Sequence, residues 1–259
     1  MKYCVSGRQP KSILAQADEI KMAYKDRDRL IDYTEEFSEK TFILEIPKEE
    51  TEIDWKILKV YAEKVNFMLA LKNLSLVKEC HSHGIKFYWD YPVFTWFELN
   101  SLIKLNPCYI ILTAPLFFQM DKVKEMTNIP LRHSPNISFD AYIPHSIGIK
   151  GTWIRPEDTK IYEKYIDTFE FGVETLSEEV ALLHVYKDNG YWMGNLNLLF
   201  KNFNINIDNR AVPEDLVERR LNCGQRCMEP GARCQACETA FKFAELIREK
   251  HYSNLKEST

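Results

Sequence analysis

The sequence predicts an α/β fold, a (β/α)₈ TIM-like barrel that is either closed or distorted, followed by a C-terminal cysteine-rich extension. Two observations predict the barrel. Short apolar segments with strand character alternate with segments of helical periodicity, and the strand starts recur about every 20 residues. Alternation of this kind means parallel strands joined by helical crossovers. Eight such units favour closure over an open doubly wound sheet. A third observation sets the boundary: after about residue 187 the alternation stops and an Asn- and aromatic-rich stretch begins. The expected organisation is therefore a barrel over 1–187 and a metal-bearing extension over 188–259.

The elements follow in order. The segment to about residue 17 is ambiguous: Lys2 to Val5 could be a strand, and Ser12 to Ala17 one or two helical turns. The regular series starts with a strand at 20–24 and continues with strands at 42–46, 66–71, 85–90, 108–112, 129–132, 151–154 and 168–171, expected to be parallel neighbours in that order. Between them lie helical patterns. Leu30, Ile31, Tyr33 and Phe37 lie at roughly helical spacing. Asp54 is placed to cap a helix that runs to Glu63. Ser75 to His83 is a helix ended by Gly84. Thr95 to Leu105 and Phe117 to Met126 follow, then a broken helix at Ser138 to Ser146, where Pro144 disfavours continuation. Pro156 opens a helix to Tyr165, with Glu157 and Asp158 suiting its positive end. Leu176 to Tyr186 is the last helix of the series. In the extension, helices are expected over 212–221 and 238–251.

Composition narrows the function classes. The 259 residues are 45% hydrophobic and 28% charged, as in soluble globular proteins. A net charge of −4 gives no strong signal for nucleic acid or an anionic membrane. No apolar run approaches the roughly 18 residues of a membrane span, since Thr113 and Pro115 interrupt the longest. MKYCVSGRQPK is not followed by the apolar segment of a signal peptide, so a cytoplasmic location is expected. Thiols stay reduced there, which makes the seven cysteines ligands or core residues rather than disulfides. Cys4, Cys80 and Cys108, scattered among apolar neighbours, read as small buried hydrophobes. No glycine-rich dinucleotide or P-loop motif follows any strand. The composition leaves oligomeric state open.

Cys223, Cys227, Cys234 and Cys237 are different. They crowd into fifteen residues, in two close pairs around Pro230 and Gly231. Two close thiolate pairs suit a closed tetrahedral zinc site, and four cysteines from one compact loop also suit a 4Fe–4S cluster. Zinc is the preferred reading because a closed four-thiolate site would join the two helices on either side. Unmetallated thiols are the remaining alternative. The second feature is polar residues at strand ends, where a barrel builds its active site. Glu45, Asp90, Arg132 and Arg155 are the candidates. Glu45 stands in the otherwise apolar TFILEIP, and a carboxylate there must be paired, solvated in a cavity or catalytic. Arg132 and Arg155 end successive predicted strands and could clamp a carboxylate or phosphate. For any one of these residues, an ion pair at the barrel mouth is the competing explanation. His81 and His83 fit compensation of a helix C-terminus better than a ligand role.

IPLRHSPNIS at 129–138, GIKGTWIRPEDTKIYEKY at 148–165 and DTFEFG at 167–172 together resemble the collagenase-like peptidase family. The resemblance implies a TIM-like barrel, and it places Arg155 and Glu157 near an Arg-Glu pair of that family. Several relatives carry four cysteines and an iron–sulfur cluster and hydroxylate quinones or RNA bases. Two function classes remain open: an enzyme acting on a small anionic or nucleotide-like molecule at the barrel mouth, and a non-catalytic binding or structural protein whose zinc staples the tail.

Overall fold

The computed structural model describes residues 1–50, 52–113, 116–136, 152–172 and 175–188, with the single residues 190, 221 and 242. The described chain falls into two compact units. The first comprises Met1–Leu112, Thr127–His133 and Ile166–Val180. The second comprises Thr113–Met126 and the described residues of Ser134–Tyr165 and of the chain from Ala181.

The first unit holds a wholly parallel sheet. Its strands are β1 (Lys2–Ser6), β2 (Glu19–Ala23), β3 (Thr41–Ile46), β4 (Phe67–Leu71), β5 (Phe87–Trp89), β6 (Pro92–Val93), β7 (Ile110–Leu112), β8 (Leu131–His133) and β9 (Ile166–Glu170). They are ordered β5-β4-β3-β2-β1-β9-β8-β7-β6. Helices α1 (Lys11–Leu14), α2 (Arg29–Glu36), α3 (Trp55–Ala62), α4 (Leu76–His83) and α5 (Trp96–Lys104) connect successive strands. Their ends form as local chemistry dictates. The Asp54 carboxylate accepts from Ile57 N at the start of α3, and Thr95 and Glu98 make a reciprocal capping box on α5. Gly84 ends α4 at φ 65°, a left-handed conformation that suits a residue without Cβ.

The sheet curls strongly. Both of its edges come from one stretch of chain, since β5 and β6 are separated only by Asp90 and Tyr91. Cys108 N, just before β7, donates to Phe87 O of β5 at 2.7 Å. Side chains give the same result. Adjacent strands are about 4.8 Å apart, so β2 and β7, four steps apart, would be about 19 Å apart in a flat sheet. Yet the Tyr109 hydroxyl, beside β7, reaches Glu19 of β2 at 2.5 Å. This curled parallel sheet with helical connections is consistent with a TIM-like barrel.

The possible strand at Lys2 to Val5 is present and belongs in the series, and the strand expected at 151–154 needs correction. Lys2–Ser6 is a full strand at the heart of the sheet, paired with β2 on one side and β9 on the other. Its Tyr3, Cys4 and Val5 are all buried, enough to seat a strand that has neighbours on both sides. Conversely, residues 152–154 are not a strand. β8 pairs directly with β9, with Arg132 opposite Thr168 and His133 opposite Phe169, so no strand can lie between them. Trp153 and Ile154 are instead buried in the second unit, where Ile154 N bonds Pro135 O and Ile154 O accepts from the Tyr186 hydroxyl. Apolar burial produced the strand-like pattern without a ladder.

The second unit contains a 3₁₀ turn (Leu116–Gln119), α6 (Met120–Met126), a second 3₁₀ turn (Pro156–Asp158) and α7 (Thr159–Tyr162). The last helix, α8 (Leu176–Lys187), begins in the first unit and continues into the second. The expected helix at 138–146, the helices at 212–221 and 238–251 and all four clustered cysteines fall outside the described residues, apart from the single residues 221 and 242.

Because β1 supplies backbone partners to two strands, a chain lacking residues 1–6 should lose cooperative unfolding altogether rather than shed one edge. Near-ultraviolet circular dichroism and a urea titration would check this, and a retained sigmoidal transition would contradict it.

Candidate functional site

Side chains alternate faces along a strand, so register decides which residues share the inner face of the curl. Cys4 lies opposite Glu19 and Glu170, Ser6 opposite Lys21, Lys21 opposite Ile43, and Ala70 opposite Tyr88. Arg132 joins them through Thr168. A parallel strand buried on both faces is normally apolar throughout. Here the inner face carries charge at Glu19, Lys21, Arg132 and Glu170, and a buried charge must be paired.

The pairing forms one chain of alternating sign. Arg132 donates from Nη1 to Glu19 at 2.6 Å and from Nε to Glu170 at 2.7 Å. Lys21 Nζ bonds the other oxygen of Glu170 at 2.7 Å and Asp90 at 3.2 Å. Lys72 lies 3.8 Å from Asp90 and bonds Glu45. The sequence runs Glu19–Arg132–Glu170–Lys21–Asp90–Lys72–Glu45, from a fully buried end to a half-exposed one. Aromatic groups pack its inner end. The Arg132 guanidinium lies 5.1 Å over the Tyr88 ring and 5.4 Å over the Tyr109 ring.

This environment separates the carboxyls. Burial opposes ionisation of Glu170, but Lys21 and Arg132 outweigh it and pull its pKa down to about 2. At Asp90, burial prevails and raises the pKa, with Lys21 opposing and Glu170 reinforcing the rise. Burial also works against the charge on Lys21, yet Glu170, then Tyr88, Asp90 and Glu45 more than offset it. Lys21 is therefore a fixed ammonium and not a nucleophilic amine. Burial pushes the Cys4 thiol well above its ordinary value. Cys4 is a buried, unreactive thiol as expected, but its neighbours are these charges and not an apolar core.

Above the network opens a cavity of about 550 Å³. Ser6, Ala23, Glu45 and Glu170, at or near the C-terminal ends of β1, β2, β3 and β9, line it, with Cys4 and Lys21 deeper in their strands. Its rim includes Arg8, Gly172, Thr175, Leu176 and Glu179. In TIM-like barrels this is the end where catalytic groups gather. Glu179 is committed to structure: it accepts from Ser6 N at 2.9 Å and from the Gln9 side chain at 2.5 Å. Arg8 makes no salt bridge among the described residues.

Of the four residues singled out by sequence, Glu45, Asp90 and Arg132 belong to this one network. Arg132 is not at a strand end; it is embedded in β8 and fully buried. Arg155 belongs to the second unit, where its guanidinium holds Asp158 and lies 3.9 Å from Glu157. Lys21, Glu170, Glu19, Tyr88 and Tyr109 were missed. For Glu19 and Lys21 a signal was present: a charge at every second residue in EIKMA is out of place in a parallel strand buried on both faces. His83 stacks on Trp55 with ring centroids 5.2 Å apart, and His81 meets Leu105 O at 3.0 Å, so neither histidine is near the network. Among the described residues no group of three or more His, Cys, Asp or Glu side chains is placed to hold a metal. Nor is any described helix long and apolar enough to cross a membrane.

No family model and no curated protein matches the chain. Among solved structures, a thiamine phosphate pyrophosphorylase from Pyrococcus furiosus is similar over 72% of this chain and 95% of that one, at 12% identity and a TM-score of 0.32, a likeness too slight to support any argument.

The ionised Glu170 should make stability depend on acid. A carboxyl depressed from 4.5 to about 2 contributes stability above pH 4.5 that is lost as pH falls toward 2. Asp90, shifted upward, acts in the opposite sense as pH rises above 3.8 and so masks part of the effect. Glu170→Gln should therefore flatten the fall in unfolding free energy between these pH values; an unchanged slope would show that Glu170 is not held ionised.

Proposed function

We propose that this protein is a barrel enzyme acting on a small molecule with an anionic group, bound at the C-terminal ends of β1, β2, β3 and β9. The observation that carries the reading is Lys21: a cavity-lining ammonium fixed between two carboxylates whose pKa values are displaced in opposite directions. Carboxyls driven apart in this way are the mark of divided acid–base roles. An ammonium has three N–H donors, and Glu170 and Asp90 use two. The third serves negative charge that develops on the substrate, the kind of stabilisation that dominates many enzyme sites. Asp90, the carboxyl of the network with a raised pKa, exchanges the proton. Arg8 at the rim receives the substrate's own anionic group. A reaction passing through an enolate or similar anion, as in a lyase or isomerase, fits these parts. The likeness of residues 129–172 to collagenase-like peptidases supports the barrel and not a peptidase activity.

A second reading has its own support. Every charged member of the network has an opposite partner, as a structural ion-pair chain would. In that case the protein is a non-catalytic barrel. We further propose that Cys223, Cys227, Cys234 and Cys237 together hold one metal centre, zinc before a 4Fe–4S cluster. The support is their number and pairing in the sequence.

Oxalate, a planar dianion resembling an enolate, separates the two readings. Calorimetric titration should show binding to the native chain, none to Lys21→Met, and about tenfold weaker binding to Arg8→Ala, the loss expected when one charge-assisted contact goes. No oxalate binding, together with a Lys21→Met variant several kcal/mol (about 3–5) less stable than the native chain, would assign the network to structure alone.

Metal content checks the cysteines. Anaerobically purified protein should carry about one zinc per chain, or absorb near about 400 nm if the centre is iron–sulfur, and Cys223→Ser combined with Cys234→Ser should remove it. Stoichiometric metal in that double variant would overturn the assignment.

A further inference from the structure

Five charged side chains line the cavity: Arg8, Lys21, Glu45, Glu170 and Glu179. Three of them are committed to protein partners. Glu170 is held by Arg132 and Lys21. Lys21 is shared between Glu170 and Asp90. Glu179 accepts one bond on each oxygen, from Ser6 N and from the Gln9 side chain. The other two keep binding capacity, and they are opposite in sign. The Arg8 guanidinium has no hydrogen bond or ion pair among the described residues. Glu45 gives Oε1 to Lys72, while Oε2 has no partner among the described residues and the side chain is 36% exposed. Glu45 is the penultimate residue of β3, Arg8 follows β1 by two residues, and β2 lies between these strands. The two strands are therefore about 10 Å apart. The β2 residue opposite Glu45 is Ala23, which also lines the cavity, so a methyl group and not a bulky side chain forms the floor beside Glu45.

We infer that the substrate is a small zwitterion, an amino acid or a related amino-carboxylate, with its anionic group on Arg8 and its ammonium on Glu45 Oε2. This deepens the enzyme reading above and rests on it. Charge balance supports the inference. The lining carboxylates Glu45, Glu170 and Glu179 outnumber the lining cations Arg8 and Lys21. A purely anionic ligand therefore meets an excess of like charge, whereas a zwitterion satisfies both groups that have capacity left. An ammonium on a carboxylate makes a charge-assisted bond, about twice as strong as a neutral one. Lys72 does not compete for it: its Nζ lies 2.5 Å from Oε1 and 3.8 Å from Asp90, on the side away from Oε2 in bonding terms. The cavity, about 550 Å³, falls within the roughly 300–1,000 Å³ of ligand pockets. Two anchors of opposite sign fix both ends of a molecule and so orient the atoms between them, in the cavity that Lys21 also lines. A ligand without the ammonium is held at one end and leaves Glu45 Oε2 unmatched, which is how a polar site discriminates.

Aspartate and succinate differ only by the ammonium group, so they test the inference on the native full-length chain without any substitution. Calorimetric titration should show aspartate binding about tenfold more tightly than succinate, the effect of one added charge-assisted contact. Glu45→Gln keeps the shape and removes the charge. It should bring aspartate down to the affinity of succinate and leave succinate binding as tight or tighter. Arg8→Ala should weaken both ligands alike and keep the preference for aspartate. Succinate binding the native chain as well as aspartate, with oxalate also bound, would overturn the zwitterion and leave the anionic-substrate reading intact. A preference for aspartate that survives in Glu45→Gln, or that disappears in Arg8→Ala, would overturn the assignment of the two anchors. If the native chain binds none of oxalate, succinate and aspartate, the inference falls with the reading it rests on.

Discussion

The contact on which the first unit depends is the grip of Arg132 on Glu170 and Glu19. Arg132 lies on β8 and Glu19 on β2, with β9 and β1 between them. In a flat sheet they would be about 14 Å apart; at 2.6 Å they require the sheet to curl. The curl in turn makes the ion pair affordable, because it surrounds the guanidinium with the Tyr88 and Tyr109 rings and supplies carboxylates to two of its three nitrogens. Removing one partner of such a buried pair typically costs about 3–5 kcal/mol, since the other is left charged and unpaired. Geometry and electrostatics are thus one constraint seen from two sides.

The same constraint transmits charge outward. Glu170 is held ionised by Arg132 below and Lys21 beside it. Being ionised, it keeps Lys21 an ammonium. Lys21 then shares itself with Asp90, which Lys72 approaches from the mouth. Each charge is fixed by its neighbours, so what faces the cavity is a preset electrostatic pattern. Only Asp90 departs from it, shifted upward by burial. Within it the Lys21 amine is bound by two carboxylates, and burial raises the pKa of the Cys4 thiol.

The central place of β1 joins fold and site. Cys4 sits in register with both Glu19 and Glu170, and Ser6 with Lys21, so β1 spaces the two halves of the network. Gly7 follows directly, and its N–H bonds Lys21 O at 2.7 Å. A Cβ at Gly7 would come 2.7 Å from Met22 Cγ, which shows how closely the β1 loop is laid over β2 at the cavity edge.

The sequence by itself determined the strand–helix alternation, the parallel sense of the sheet, and local punctuation such as the Asp54 cap and the Gly84 stop, because these depend on neighbours a few residues away. It also brought forward Glu45, Asp90 and Arg132, since a charge in an apolar strand is anomalous wherever the strand lies. Only the tertiary structure decided which apolar segments pair. Lys2–Ser6 is a strand because β2 and β9 hold it from both sides, whereas Trp153 and Ile154, more apolar, are buried without a ladder. The tertiary structure also decided which charges meet. Lys21 and Glu170 are 149 residues apart and adjacent only through β1 and the curl, and no local pattern encodes a distance across strands. The free hydroxyl of Tyr88 and the bound one of Tyr109 belong to the same class of residue in the sequence; their difference exists only in three dimensions, where Glu19 reaches one and not the other.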